Sequence, residues 1–338
     1  MSNFQSQKGL ISDYFKALAQ WDVDSGETAL EGYFTKGFNC YACYPFNEIE
    51  GAQHYLSTIW RPLKNSLTNM QRRQDIFIAG EDHKDKRVWV LSMGHLMGLF
   101  DKPWLNIQPS YKTSMLRYAE FFAVENNKIV AASFFVDIIG FMQQAGLQPL
   151  PVQTGADFLV PGPLTHDGLL FEPQPVEQGL ETLALVNRMV DDLSALNLSG
   201  DDRCPPGLLA KTWHHDMVWY GPAGIGTSHT IERYQQHHQY PFREGLKDKQ
   251  FNGHIARFAE GNYACFFGWP NLSNTPKGGW LGLPGGEVRG DMRVVDVYRR
   301  DGDKLAENWV IMDLPYWLKQ QGLDIIERTT QIHAPTTN

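Results

Sequence analysis

At 338 residues the chain is longer than one hydrophobic core usually grows, so two domains are expected. Its 42% hydrophobic and 20% charged residues are ordinary for a globular protein, while a formal net charge of −8 argues against nucleic acid or an anionic membrane as the main partner, since both require a basic surface. The opening MSNFQSQKGL has no charged-then-apolar leader pattern and no apolar run approaches the roughly 18 residues of a membrane span, so a cytoplasmic protein is the expectation.

In chain order, FNCYACYP comes first with Cys40 and Cys43 in a C-x-x-C. A strand there points the two thiols to opposite faces, and no second Cys or His pair follows at zinc-finger spacing, so buried inert thiols are expected rather than a metal or redox site. After PLPVQTGADFLVPGPLTHDGLLFEPQP, which holds six Pro between Gln148 and Pro175, the pattern changes. Proline at that density forbids a long helix or a central strand, so 148–175 reads as a linker. Leu180, Leu183, Val186, Val190 and Leu193 then recur at helical spacing. TWHHDMVWYGP reads as a strand, GPAGIG (221–226) as a loop, and SHTIERYQQHHQY as a helix with Ser228 as a possible N-cap. GGWLGLPGGEVRG (278–290) reads as a loop with Trp280 folding over a cavity mouth. RVVDVYRR and LAENWVIMD read as strands joined by a DGDK hairpin turn.

The chain repeats itself. KIVAASFFVDIIGFMQQAG (128–146) falls on KLAENWVIMDLPYWLKQQG (304–322), setting Asp137 on Asp313 at an offset of 176. Upstream, RYAEFFAVENNKI falls on RVVDVYRRDGDKL, pairing Arg117 with Arg293 and Glu120 with Asp296, and RPLKNSL (61–67) falls on YPFREGL (240–246). DIFIAGED (75–82) falls on HIARFAEG (254–261). The expectation is two α+β units, 1–147 and 176–330, each with helices covering one face of a curved, mainly antiparallel sheet.

Candidate chemistry lies in the second unit. Val294, Asp296 and Tyr298 share a face of one strand, and Glu307, Trp309, Ile311 and Asp313 share a face of the next. A regular hairpin then brings Asp296 and Asp313 into one concavity lined by Trp309 and Tyr298, where an apolar setting raises a carboxyl pKa toward acid/base work. Trp219, His215, His254 and Trp280 are further candidates for its lining. Asp313 also precedes LPYWLKQQG, so a plain N-cap is the other reading. His214, His215, His229, His237, His238 and His254 show no metal-ligand spacing, and no metal is expected.

From 205 to 325, and most specifically in its last forty residues, the sequence resembles the SnoaL-like polyketide cyclases of the nuclear-transport-factor-two-like (NTF2-like) superfamily. The family pattern there is R-x-x-DGK-I-x-E-x-W-x-x-x-D; in the first unit only the spacing and the Asp remain. The resemblance implies a cone-shaped sheet around a pocket in each of two tandem copies, packed as an internal pseudo-dimer. It also implies cofactor-free chemistry, with an aspartate at the last strand's end, the position of Asp313, as acid/base for an intramolecular aldol closure. The first copy has Ala131, Ala132 and Ser133 in place of Glu307, Asn308 and Trp309, and its pocket is expected to be reshaped or inactive. Two readings stay open: a lyase or isomerase acting on a small hydrophobic carbonyl compound, and a non-enzymatic small-molecule binding protein, since fold does not fix function. Further homo-oligomerisation is compatible with either.

Overall fold

A computed structural model describes residues 4–200 and 203–333; residues 1–3 of the expected first unit and 201–202 of the second lie outside the described residues. The first sheet contains β1 (Phe34–Ala42), β2 (Asn47–Glu50), β3 (Leu67–Glu81), β4 (Val88–Phe100), β5 (Lys112–Glu125) and β6 (Lys128–Val136), in the order β2-β1-β6-β5-β4-β3. The second contains β7 (Trp213–Tyr220), β8 (Thr227–His229), β9 (Leu246–Phe251), β10 (Ala256–Glu260), β11 (Tyr263–Pro276), β12 (Gly290–Asp301) and β13 (Lys304–Met312). Its order is β10-β11-β12-β13-β7-β8, with β9 also paired to β11. One topology is thus used twice. Neighbours run antiparallel except β1 with β6 and β7 with β13, which are parallel in both sheets. The run matched by β3 in the first unit is broken into β9 and β10 in the second.

The helices repeat as well. Residues 52–66 and 231–245 each form an α segment, a five-residue π segment (Leu56–Trp60 and Gln235–Gln239) and a second α segment with proline, Pro62 or Pro241, near its start. A proline has no N–H for the carbonyl four residues back and its ring crowds that carbonyl, and a wider turn before it relieves the clash. The helix over 231–245 begins after Thr230, whose side chain accepts from Arg233 N, and not after Ser228, which is in β8. Helix Gln5–Gln20 buries Ile11, Tyr14, Phe15 and Leu18 against the first sheet, and helix Val176–Ser199 buries Leu185, Val186 and Met189 against the second. Among the described residues no helix is long and apolar enough to cross a membrane. Cys40, Cys43, Cys204 and Cys265 are all buried.

The outer faces of the two sheets pack on each other through aromatic rings. Phe267 packs tilted or edge-on against Phe121 (4.8 Å between centroids) and Trp89 (5.5 Å), and Trp269 against Tyr41 (5.6 Å) and Phe135 (6.0 Å). At Gly80 the sheets come so close that a Cβ would stand 2.9 Å from Phe258 Cδ2, a position that requires glycine. Polar clasps cross the seam: Lys8 Nζ pairs with Glu260 (2.7 Å), Ala79 N donates to Glu260 Oε2 (2.8 Å), and Arg257 N donates to Asp82 Oδ1 (2.7 Å). The proline-rich segment is not a free surface connector but a strap bound into this seam. Gly155 N and Ala156 N donate to Ile225 O and Thr227 O, both at 2.8 Å, and Phe77 N donates to Gly168 O (2.8 Å) beside a parallel bridge to Leu169.

Candidate functional site

The hairpin of β12 and β13 decides which side chains enter the second unit's cavity. Its two-residue turn at Gly302–Asp303 pairs Asp301 with Lys304 and Arg300 with Leu305. If that register continued, Asp296 would face Trp309. Instead Arg299 pairs with Glu307, so Ala306 is an extra residue, a β-bulge. One extra residue turns every later side chain of β13 over. Asp296 therefore pairs with Val310, Tyr298 with Asn308 and Val294 with Met312, and these six line one cavity.

That cavity, of about 180 Å³, lies under helix Val176–Ser199 and the helix over 231–245. Trp219, Tyr234, His238, Gln239, His254 and Phe266 also line it. Four of the residues expected from the sequence, Asp296, Tyr298, Trp219 and His254, meet here. Asp313 and Trp309 do not, and the expected convergence of Asp296 with Asp313 fails because the bulge puts them on opposite faces of the sheet. His215 lies outside too, its side chain 75% exposed and 3.5 Å from Glu232. Trp280 is buried behind the cavity wall, against Phe242 (5.6 Å) and Trp317 (5.0 Å), and does not fold over a mouth.

Asp296 is the acid of the cavity. Its Oδ1 accepts from Tyr298 Oη (3.0 Å) and Asn308 Nδ2 (3.3 Å). Both bonds fall on one oxygen, which leaves Oδ2 to the cavity. Burial disfavours the charged carboxylate more than these two donors favour it, and the pKa is pushed up to about 6. The neighbouring imidazoles are held neutral. Burial, with Arg243 behind it, pulls His238 down to about 3, while its ring stacks on Trp219 at 4.2 Å. His254 is pushed well below its ordinary value by burial and by Arg257, which donates to its Nδ1 from Nε (3.0 Å) and Nη2 (2.7 Å). With Nδ1 accepting, the ring proton resides on Nε2. A second donor comes through a chain: Arg243 Nε donates to Gln239 Oε1 (3.0 Å), and Gln239 Nε2 donates to Tyr234 Oη (2.6 Å). Tyr234 Oη then has its own hydrogen to give elsewhere. Asn308, Tyr234, Gln239 and His238 did not stand out in the sequence. Asn308 enters through the parity shift at Ala306, which no composition or spacing rule reveals, and Tyr234, Gln239 and His238 enter through the packing of the helix over 231–245 above the sheet.

Asp313 is buried, with 3% of its surface accessible, and sits at the seam between the units. It caps the helix Leu314–Gln320 through Tyr316 N (3.3 Å), and its Oδ2 accepts from Tyr44 N of the first unit (2.9 Å) and lies 3.4 Å from Arg293 Nη1. Asp137 does the same in mirror role: Oδ1 accepts from Gly140 N (2.9 Å) and Oδ2 from Ala223 N of the second unit (2.8 Å). The aspartate common to both copies is a helix cap and an inter-unit clasp. Glu307 and Trp309 hold the strap: Leu164 N donates to Glu307 Oε1 (3.2 Å) and Trp309 Nε1 donates to Pro161 O (2.9 Å). The strap crosses one unit in this way, and the first unit has Ala131 and Ser133 where these contacts would be.

At the position of Asp296 the first unit carries Glu120, which is fully buried and ion-paired with Arg72. The Arg72 guanidinium lies over the rings of Phe15 (3.9 Å), Tyr118 (4.7 Å) and Trp60 (5.2 Å). Burial raises the Glu120 pKa, against Arg72, which lowers it. An acid paired in this way has no free oxygen face for a substrate, and the space is filled by the arginine.

No protein-family model matches the sequence, and no curated protein matches it. Among solved structures the chain is similar to one from Jannaschia sp. described as a candidate SnoaL-like polyketide cyclase. That match has 16% identity and a TM-score of 0.34, and covers 44% of this chain and 98% of that one. It is similar also to an NTF2-like protein of Burkholderia thailandensis (17% identity, TM-score 0.31, covering 42% of this chain and 97% of that one). A third is TsrD of Streptomyces laurentii, with 21% identity, a TM-score of 0.33, and coverage of 41% of this chain and 96% of that one.

Proposed function

We propose that the second unit is a cofactor-independent acid/base catalyst of the isomerase, lyase or cyclase type, acting on a small hydrophobic carbonyl compound, with Asp296 as the proton-transferring group. The observation that carries this reading is a carboxyl lining an aromatic cavity, pushed up to about 6 by burial, with no ion-pair partner among the described residues. Near neutral pH such a group takes a proton from the carbon next to a carbonyl and can return it to a different atom. The developing enolate oxygen needs a donor, and Tyr234 Oη and His254 Nε2–H line the same cavity as neutral donors. Neutral His238 and His254 add no positive charge that would pin Asp296 in its ionised form.

The cavity volume limits the substrate. A protein cavity of about 150 Å³ takes benzene, so about 180 Å³ suits a single ring or a short chain rather than a fused polycycle. The test is hydrogen exchange: single-ring ketones, cyclohexenone and acetophenone among them, are incubated with the full chain in D₂O and followed by proton NMR. The wild type should speed exchange of the protons next to the carbonyl, and Asp296→Asn should lose on the order of 10² or more of that rate. No acceleration over buffer with any of the ketones, or full activity in Asp296→Asn, would overturn the reading and leave a binding protein.

A further inference from the structure

The two ends of the inter-unit seam carry equivalent residues 176 positions apart: Arg117 with Arg293, Asp137 with Asp313, Gly140 with Tyr316. In the second unit the Arg293 guanidinium is sandwiched, 3.6 Å from the Trp269 ring centroid and 3.4 Å from that of Tyr316. In the first unit both rings are missing. His95, the cross-strand partner of Arg117, stands on the neighbouring strand in place of Trp269, and Gly140 stands in place of Tyr316. A cavity of about 530 Å³ opens there, lined by His95, Arg117, Gln143 and Gln148, and by Phe158 and Leu159 of the strap.

Arg117 is 5% exposed and donates to the carbonyl oxygens of Tyr220 (3.2 Å) and Gly221 (3.1 Å). Burial pulls its pKa down to about 10, so it stays protonated at neutral pH. This guanidinium has given up water without the ring stack that its counterpart has, and a desolvated cation over a ring face is where such contacts are strongest. Phe158 and Leu159 remain 44% and 53% exposed beside the opening, apolar surface that an occupant would cover. Asp137 and Asp157 line the same cavity, and Asp75 stands 3.5 Å from His95, so the site already holds negative charge and does not ask for more.

We propose that this inter-unit cavity binds a small, uncharged, planar aromatic compound whose ring stacks on Arg117 as the Tyr316 ring stacks on Arg293. The site is separate from the Asp296 cavity, which is too small for two fused rings. The probe is 2-naphthol, titrated into the full chain carrying ¹³C-methyl methionine and followed by NMR. Saturable binding with intermolecular contacts to the Met115 methyl, which lines this cavity, is the expected result. Contacts to Met189, Met292 or Met312, which line the other cavity, would overturn the assignment, as would no saturable binding up to the solubility of the probe. The variant His95→Trp/Gly140→Tyr rebuilds the sandwich within the chain. A Cβ at Gly140 would meet Asp137 Cγ at 3.3 Å and Ala223 Cβ at 3.4 Å, so the backbone there takes a side chain once those neighbours give by a few tenths of an ångström. This variant should bind 2-naphthol at least about tenfold more weakly. Unchanged affinity in a folded variant would sink the proposal, and the methyl contacts decide the case if the variant does not fold.

Discussion

Asp296→Asn separates the cost of the acid from its use. An asparagine is the same shape, and its amide oxygen can accept the two bonds that Asp296 Oδ1 accepts from Tyr298 and Asn308. What changes is the charge. The folded chain holds this carboxyl at about 6 against an ordinary 3.8, so ionisation costs the folded state about 3 kcal/mol, at about 1.4 kcal/mol per pH unit. Between those two values the folded chain binds the proton more tightly than the unfolded chain. The stability supplied by the protonated group is therefore fully present below 3.8 and is lost as the pH rises through about 6. Asparagine has no such loss. In urea unfolding, wild type and variant should differ little at about pH 4, while at about pH 8 the variant should be the more stable by about 1–3 kcal/mol, the lower end allowing for the carboxyl's access to the cavity. Taking the difference between the two proteins cancels other titrating groups, Asp313 among them, which burial also raises to about 6. A stability difference that is the same at both pH values would refute the account of Asp296 as a group held mainly by desolvation.

Asp313→Ala should cost about 2–4 kcal/mol in the same unfolding assay, because it leaves Tyr44 N and Tyr316 N without an acceptor and removes a helix cap. Ketone exchange by the folded fraction should nevertheless persist; if it vanished while the fold was kept, Asp313 would belong to the chemistry after all. Deleting Ala306 removes the bulge but keeps Arg299 opposite Glu307 and Asp296 opposite Val310, so circular dichroism should report a native sheet; a chain that does not reach it would show that the bulge itself is needed for the strand's curvature. Arg72→Met should destabilise the first unit by about 3–5 kcal/mol by leaving Glu120 buried without its partner, and adding Glu120→Gln should recover most of it. A double variant as unstable as the single one would show that the arginine matters for its packing and not for its charge.

The sequence alone determined that one unit occurs twice, with helices before a run of antiparallel strands and a proline-rich linker between the copies. Those features rest on local causes: the prolines of 148–175, the Asn126–Asn127 and Gly302–Asp303 turns, the proline-marked helix that recurs at 61–67 and 240–246, and alternating side chains along strands. It also set Asp296 and Tyr298 on one face, because alternation within a single strand needs no knowledge of partners. Which face of β13 meets β12 was a different kind of question. A two-residue turn predicts one register and a single unpaired residue, Ala306, imposes the other, and the choice depends on what packs above and below the sheet. The same limit hid the task of Asp137 and Asp313. A cap is local and was open to reading, but the backbone amides of Ala223 and Tyr44 reach those carboxylates from the opposite copy, across 86 and 269 residues of chain. Only the packing of one sheet on the other brings them together, and that packing turns a repeated aspartate from a candidate catalyst into a clasp.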